Sequence, residues 1–142
     1  MNTFTILVVD DHPVVRAGLV GLLSSESDFR VIGEASNGAE ALSMVEQLLP
    51  NVVLMDLRMP GMGGLEAIEQ IHARWPEVAV VILTTYNEDE LMVRGLRAGA
   101  RAYLLKDTKR QTLFDTLKAA ARGEALLQPD ILARVLNQSA ST

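Results

Sequence analysis

The 142-residue chain contains no cysteine. Disulfide staples and thiol catalysis are excluded, and a reducing, cytoplasmic location is the expectation. Thirteen Lys and Arg stand against eighteen Asp and Glu, a formal charge of -5, and no basic block occurs. Phosphate contacts need clustered cations, so this chain alone is not expected to grip nucleic acid. No apolar run reaches the eighteen or so residues of a membrane span. The opening MNTFTIL lacks the basic and long apolar regions of a secretion leader. Neither G-x-G-x-x-G nor G-x-x-x-x-G-K-[ST] occurs, so a nucleotide- or flavin-binding module would lack its phosphate-cradling loop. Internal repeats and low-complexity blocks are also missing.

What is present is a globular balance, 49% hydrophobic and 22% charged, at a length suited to one domain. Five apolar, β-branched stretches read as strands: 4–9, 29–35, 51–56, 78–85 and 100–106. Helical patterns separate them. Pro13 suits a first helical position ahead of Val15, Leu19, Leu22 and Leu23. Ala41, Leu42, Val45 and Leu49 form a second stripe, and Leu65, Ile68, Ile71 and Trp75 a third. A fourth helix runs from an Asn87–Glu90 capping box to Ala98, with Gly95 inside and Gly99 as its stop. The fifth, over 109–122, carries Leu113, Leu117 and Ala120 and stops at Gly123. Strands alternating with helices predict a doubly wound α/β fold, a parallel sheet with right-handed crossovers and helices on both faces. The expected division is a domain over 1–123 and a linker over 124–142. In the linker, Pro129 could open a short helix through Ile131, Leu132, Val135 and Leu136.

In an open parallel sheet, ligands bind outside the carboxyl ends of the strands. Here those ends carry Asp10 and Asp11, Asp56, Thr84 and Lys106. Two like charges about 4 Å apart repel by roughly 4 kcal/mol at an effective dielectric of 20, so three acids need cations. Lys106 supplies one. A hard divalent ion with oxygen ligands, magnesium above all, fits the rest. No thiol and only two histidines are available, which makes zinc or copper a poor match; His12 and His72 are expected to face solvent. Asp56 can act as a nucleophile toward a phosphoryl group. Such transfer is mainly positioning and charge neutralisation, with Thr84 donating a hydrogen bond to phosphoryl oxygens.

Asp10-Asp11, Asp56 in LMDLRMPGMGGLEA, Thr84 in ILTTY and Lys106 in GARAYLLKD together resemble the signature of the response-regulator receiver domain, over residues 4 to about 122. VVDDHPVVRAGL, MPGMGGLEA and AYLLKD resemble the NarL/FixJ/LuxR-type transcriptional regulators. The resemblance implies a flavodoxin-like, CheY-like sheet in the order 2-1-3-4-5. It implies a sensor histidine kinase as partner, passing a phosphoryl group to Asp56. Magnesium would be held by Asp11, Asp56 and the main-chain carbonyl of Arg58, with Asp10 acting through water. Thr84 and Tyr103 would form the switch, changing the face built from the fourth helix, fifth strand and fifth helix. A phosphorylation-dependent homodimer is compatible with it, and DNA would be reached only through a C-terminal helix-turn-helix domain outside this chain. The linker-like tail favours a chain that continues into such a domain over a stand-alone receiver acting by protein–protein contact.

Two departures stand out. Asp107 follows Lys106 where many receivers have proline, and Thr85 stands where the commonest carry alanine. Arg58, Thr85 and Tyr86 flank the site as modulating positions. A rival reading is a magnesium-dependent phosphohydrolase of the haloacid-dehalogenase type. It would need an acid two residues after Asp56, where Arg58 stands, and a cap insertion that the sequence lacks. The same acids without phosphate acceptance would make a pseudo-receiver.

Overall fold

The computed structural model describes residues 3–57, 63–85 and 89–124. Its strands are β1 (Phe4–Val9), β2 (Phe29–Ala35), β3 (Val52–Met55), β4 (Ala79–Thr84) and β5 (Ala102–Leu105). All pair in parallel, in the order β2-β1-β3-β4-β5. The helices between and after them are α1 (Pro13–Ser24), α2 (Gly38–Leu48), α3 (Gly64–Arg74), α4 (Asp89–Ala98) and α5 (Arg110–Ala121). The chain moves outward from β1 to β2, then crosses back to place β3 on the other side of β1. The order therefore reverses between β1 and β3, where a doubly wound sheet opens a crevice.

Period-two alternation divides the core between two faces. Leu7, Val9, Val53, Met55, Val80, Ile82 and Tyr103 face one side, under Ala41 and Val45 of α2, Ile68 and Ile71 of α3 and Met92 of α4. Ile6, Val8, Leu54, Val81, Leu83 and Leu104 face the other, under Leu23 of α1 and Leu113, Phe114 and Leu117 of α5. Each large apolar side chain removed from water in this way contributes about 1.5–3 kcal/mol before entropy is subtracted. All six residues of β4 are buried, which explains why that stretch reads as unbroken hydrophobicity.

Two helical expectations change in detail, and one cap is added. Leu49 is not part of the α2 stripe: it caps the helix in the left-handed region (φ 45°) and is exposed. The first stripe is shallow, because only Leu23 of α1 is fully buried and Val15 is exposed. A capping box opens α2, where the Asn37 side chain accepts from Glu40 N at 2.9 Å and donates to Glu40 Oε2 at 3.0 Å. The Asn87 box and the 125–142 segment lie outside the described residues. Gly99 stops α4 as expected. Its φ of +126° suits glycine, and a Cβ there would stand 2.5 Å from the His72 ring.

Candidate functional site

The sheet itself delivers the acids to one rim. Val9 and Met55 are register partners, so the next residues, Asp10 and Asp56, leave neighbouring strands side by side. Asp56 N donates to Val9 O at 3.1 Å, and Asp10 N to Ala35 O at 3.1 Å, continuing the ladder beyond the strands. Lys106 N donates to Thr84 O at 2.9 Å and ties the end of β5 to that of β4. The two acids and the threonine are deeply buried, with Asp10 1%, Asp56 3% and Thr84 0% exposed. The first turn of α3 presses against the same rim: a Cβ on Gly64 would stand 2.6 Å from Asp56 O. Glycine there lets the helix approach the Asp56 main chain.

Lys106 bridges two of the three acids. Its Nζ donates to Asp10 Oδ2 at 2.7 Å and to Asp56 Oδ2 at 3.0 Å. The other Asp10 oxygen, Oδ1, accepts from His12 N at 2.9 Å and pairs with His12 Nδ1 at 3.1 Å. Burial by itself would raise the Asp10 carboxyl. The Lys106 hydrogen bond, the His12 amide and the Lys106 charge outweigh it and hold the group below its ordinary value. For Lys106, burial pulls downward, but its bonds to Asp10 and Asp56 hold the ammonium above its ordinary value. Arg16, one turn into α1, donates from Nη1 to Asp10 O at 2.6 Å and from Nε to Glu34 Oε1 at 3.1 Å. It fixes the main chain that carries the acid.

Two carboxylate oxygens are left over. Asp56 Oδ1 and Asp11 Oδ1 are inaccessible to solvent and have no hydrogen-bond donor. His12 Nδ1 lies 3.0 Å from Asp11 Oδ1, but its approach lacks hydrogen-bond geometry, so that oxygen gains proximity without a donor. Ligand atoms of Asp10, Asp11, His12 and Asp56 all fall within 4.8 Å of one another. Orphaned, buried, anionic oxygens in a group of that size fit a small divalent cation with oxygen ligands.

The structure thus brings Asp10, Asp11, Asp56 and Lys106 together, with Thr84 buried at the adjoining strand end. Thr85 is exposed and, with Leu105, Lys106 and Asp107, lines an open cleft of about 300 Å³ beside Lys106. The Lys106–Asp107 peptide is trans. Tyr103 is buried on the α4 side of the sheet. Arg58 and Tyr86 lie outside the described residues. Two residues escaped the sequence reading. His12 was expected to face solvent, and its side chain is 65% exposed, yet Nδ1 turns toward Asp10 and Asp11. Arg16 was not singled out in the sequence at all. Adjacency to the acid pair was the available signal for His12, and the polar interruption of an otherwise apolar helix was the signal for Arg16.

The family description "response regulator receiver domain" matches residues 6–118. The chain belongs to the response regulator receiver family. Among curated relatives, it is 53% identical over 130 residues to the transcriptional regulatory protein YdfI of Bacillus subtilis, covering 92% of this chain and 61% of the relative. It is 39% identical over 136 residues to the response regulator protein VraR of Staphylococcus aureus, covering 96% of this chain and 65% of the relative. The chain therefore spans just under two thirds of the relatives' length. A solved LuxR-family two-component response regulator from Aurantimonas superposes with a TM-score of 0.89 at 29% identity, covering 98% of this chain and 99% of that one. The receiver domain of the NarL response regulator from Mycobacterium tuberculosis does so with 0.83 at 33%, covering 87% and 100%. The receiver's structural neighbours are thus of the LuxR/NarL type. Receiver domains serve two-component signalling and are generally not enzymes, so the phosphohydrolase reading is not favoured. Among the described residues, no helix is long and apolar enough to cross a membrane.

Proposed function

We propose that this receiver accepts a phosphoryl group on Asp56 from a sensor histidine kinase. An Asp56 carboxylate oxygen attacks the phosphorus of the phosphohistidine. A P–O bond forms, the P–N bond breaks, and the imidazole leaves with the electron pair and takes a proton from water. Lys106 holds Asp56 Oδ2 at 3.0 Å, which restrains the carboxylate and offers positive charge to the incoming phosphoryl oxygens. Magnesium, held by Asp11, Asp56 and the Arg58 main-chain carbonyl with Asp10 through water, would supply the remaining charge neutralisation. The Asp10 oxygens are already engaged by Lys106 and His12, which favours an indirect role for that acid. The observation that carries the reading is the pair of orphaned oxygens on Asp11 and Asp56 beside a bridging lysine.

Downstream, Thr84 and Tyr103 form the switch. Thr84 donates to the phosphoryl group, and the face of α4, β5 and α5, on which Tyr103 sits, reorganises. Thr85, Arg58 and Tyr86 tune how long the phosphoryl bond lasts. The full-length protein then regulates transcription through a DNA-binding domain beyond this chain, with a phosphorylation-dependent homodimer as one route. The names of its relatives, a transcriptional regulator and a LuxR-family response regulator, support that output. The test is intact mass after incubation with magnesium and a phosphorylated histidine kinase. Wild type gains one phosphoryl group and Asp56→Asn gains none; equal gain in both, or none in wild type, refutes the proposal.

A further inference from the structure

His12 is the group in the acid cluster that phosphoryl acceptance leaves unused. It stands at the N-cap of α1, immediately before Pro13, and its side chain makes no capping hydrogen bond. Its place is set by its main chain, whose N–H is bonded to Asp10 Oδ1. The ring pairs with Asp10 Oδ1 through Nδ1 at 3.1 Å, and the same Nδ1 sits 3.0 Å from the orphaned Asp11 Oδ1. Two ligand atoms on adjacent corners of a coordination sphere of about 2.1 Å radius stand roughly 3 Å apart. The spacing is that of two ligands on one ion. A second, independent observation is the unpartnered Oδ1 of Asp56, on a side chain 3% exposed, in a group whose ligand atoms, His12 included, lie within 4.8 Å of one another.

We infer that His12 makes this a mixed nitrogen–oxygen site, which binds a borderline divalent transition ion of the Co²⁺ or Ni²⁺ class through His12 Nδ1 together with Asp11 and Asp56. The inference rests on the metal reading of the same site and adds to it a second class of ligand. Carboxylates suit magnesium, whereas imidazole selects cobalt, nickel and their neighbours. Ligation uses the lone pair of Nδ1 and leaves the ring proton on Nε2. Magnesium needs only the oxygens, so the two ions differ in their dependence on the ring.

The experiment titrates the whole chain with CoCl₂ and, separately, MgCl₂ by calorimetry, in wild type, His12→Gln, His72→Gln and Asp11→Asn. Proton NMR of the Co²⁺-loaded samples accompanies it. Asp11→Asn weakens both ions. His12→Gln lowers Co²⁺ affinity by about tenfold or more and leaves Mg²⁺ within about twofold. A hyperfine-shifted, exchangeable imidazole proton is present in wild type and His72→Gln and absent in His12→Gln. Equal loss of both ions in His12→Gln, unchanged Co²⁺ affinity, or no shifted imidazole proton overturns the inference while leaving the oxygen site standing. If neither ion binds wild type, the metal reading falls and the inference falls with it.

Discussion

Lys106→Met, in metal-free buffer, isolates what the bridging cation contributes. The ammonium lies 2.7 Å from one carboxylate and 3.0 Å from another. At an effective dielectric of 20, these separations correspond to attractions of about 6 and about 5.5 kcal/mol. The whole of that sum cannot be lost, because a stranded acid escapes by taking a proton. Without Lys106, burial acts on Asp10 with less opposition and pushes its carboxyl up. Protonating an ordinary carboxyl at pH 7 costs about 4 kcal/mol, which caps the loss per acid. Removing one partner of a buried pair typically costs about 3–5 kcal/mol. The expected destabilisation at pH 7 is therefore about 3 kcal/mol, read by urea unfolding, or roughly 10 °C in melting temperature for a chain of this size. The proton escape also fixes a sign. The deficit shrinks as pH falls toward 5, because protonating the stranded acid becomes cheaper. A deficit below about 1 kcal/mol, or one that grows on acidification, would show that Lys106 does not compensate these acids.

Magnesium should stabilise the wild type by about 2.7 kcal/mol at a hundred times its dissociation constant, and Asp11→Asn should abolish most of that gain in a thermal melt; a flat titration in wild type counts against the cation site. The Lys106 ammonium is held above its ordinary value. Its stability contribution is thus complete below about pH 10.4 and is lost as pH rises through the folded value, so alkaline urea unfolding should show a loss that Lys106→Met lacks. Gly99→Ala sets a Cβ against the His72 ring at a φ of +126° and should lose about 1–3 kcal/mol; a neutral result would mean that the α4 stop relaxes freely. Gly64→Ala pushes on Asp56 O and should lower phosphoryl uptake as well as stability, measured by intact mass and melting, whereas a loss of stability alone would separate α3 from the site.

Most strands were legible because they are largely buried on both faces, so an apolar run bounded by turns had no competing reading; β2 is the exception, with Arg30 and Glu34 exposed. The helices were legible in number but not in depth. In α1, PVVRAGLVGLLS is apolar around most of its circumference, so spacing could not say which residues meet the sheet, and Val14 ends 86% exposed. Leu49 fitted the α2 period, yet the helix ends in a left-handed cap one step earlier, a choice made by backbone geometry. The acids at the strand ends were legible because the parallel topology assigns every carboxyl end to one rim. The direction of the His12 ring was not, since that depends on where Asp10 Oδ1 captures its amide. Arg16 was missed for the same reason: its partners are a carbonyl six residues earlier and an acid eighteen residues later.

The site departs from local stability in a specific way. A fold under selection for stability alone would give each buried carboxylate oxygen a donor, since an unpaired one costs about 1–3 kcal/mol or more for a charged group. Asp10 meets that rule: His12 and Lys106 engage both oxygens, and Arg16 secures its carbonyl. Asp11 and Asp56 break it, with one oxygen each left bare. Local rules fail where a site must stay receptive. One lysine cannot neutralise three acids, and a second fixed cation would occupy the space that a ligand needs. The charge deficit is therefore built into the rim. Asp10 and Lys106 act as its rigid frame, and the bare oxygens of Asp11 and Asp56 are the part that remains open to a ligand.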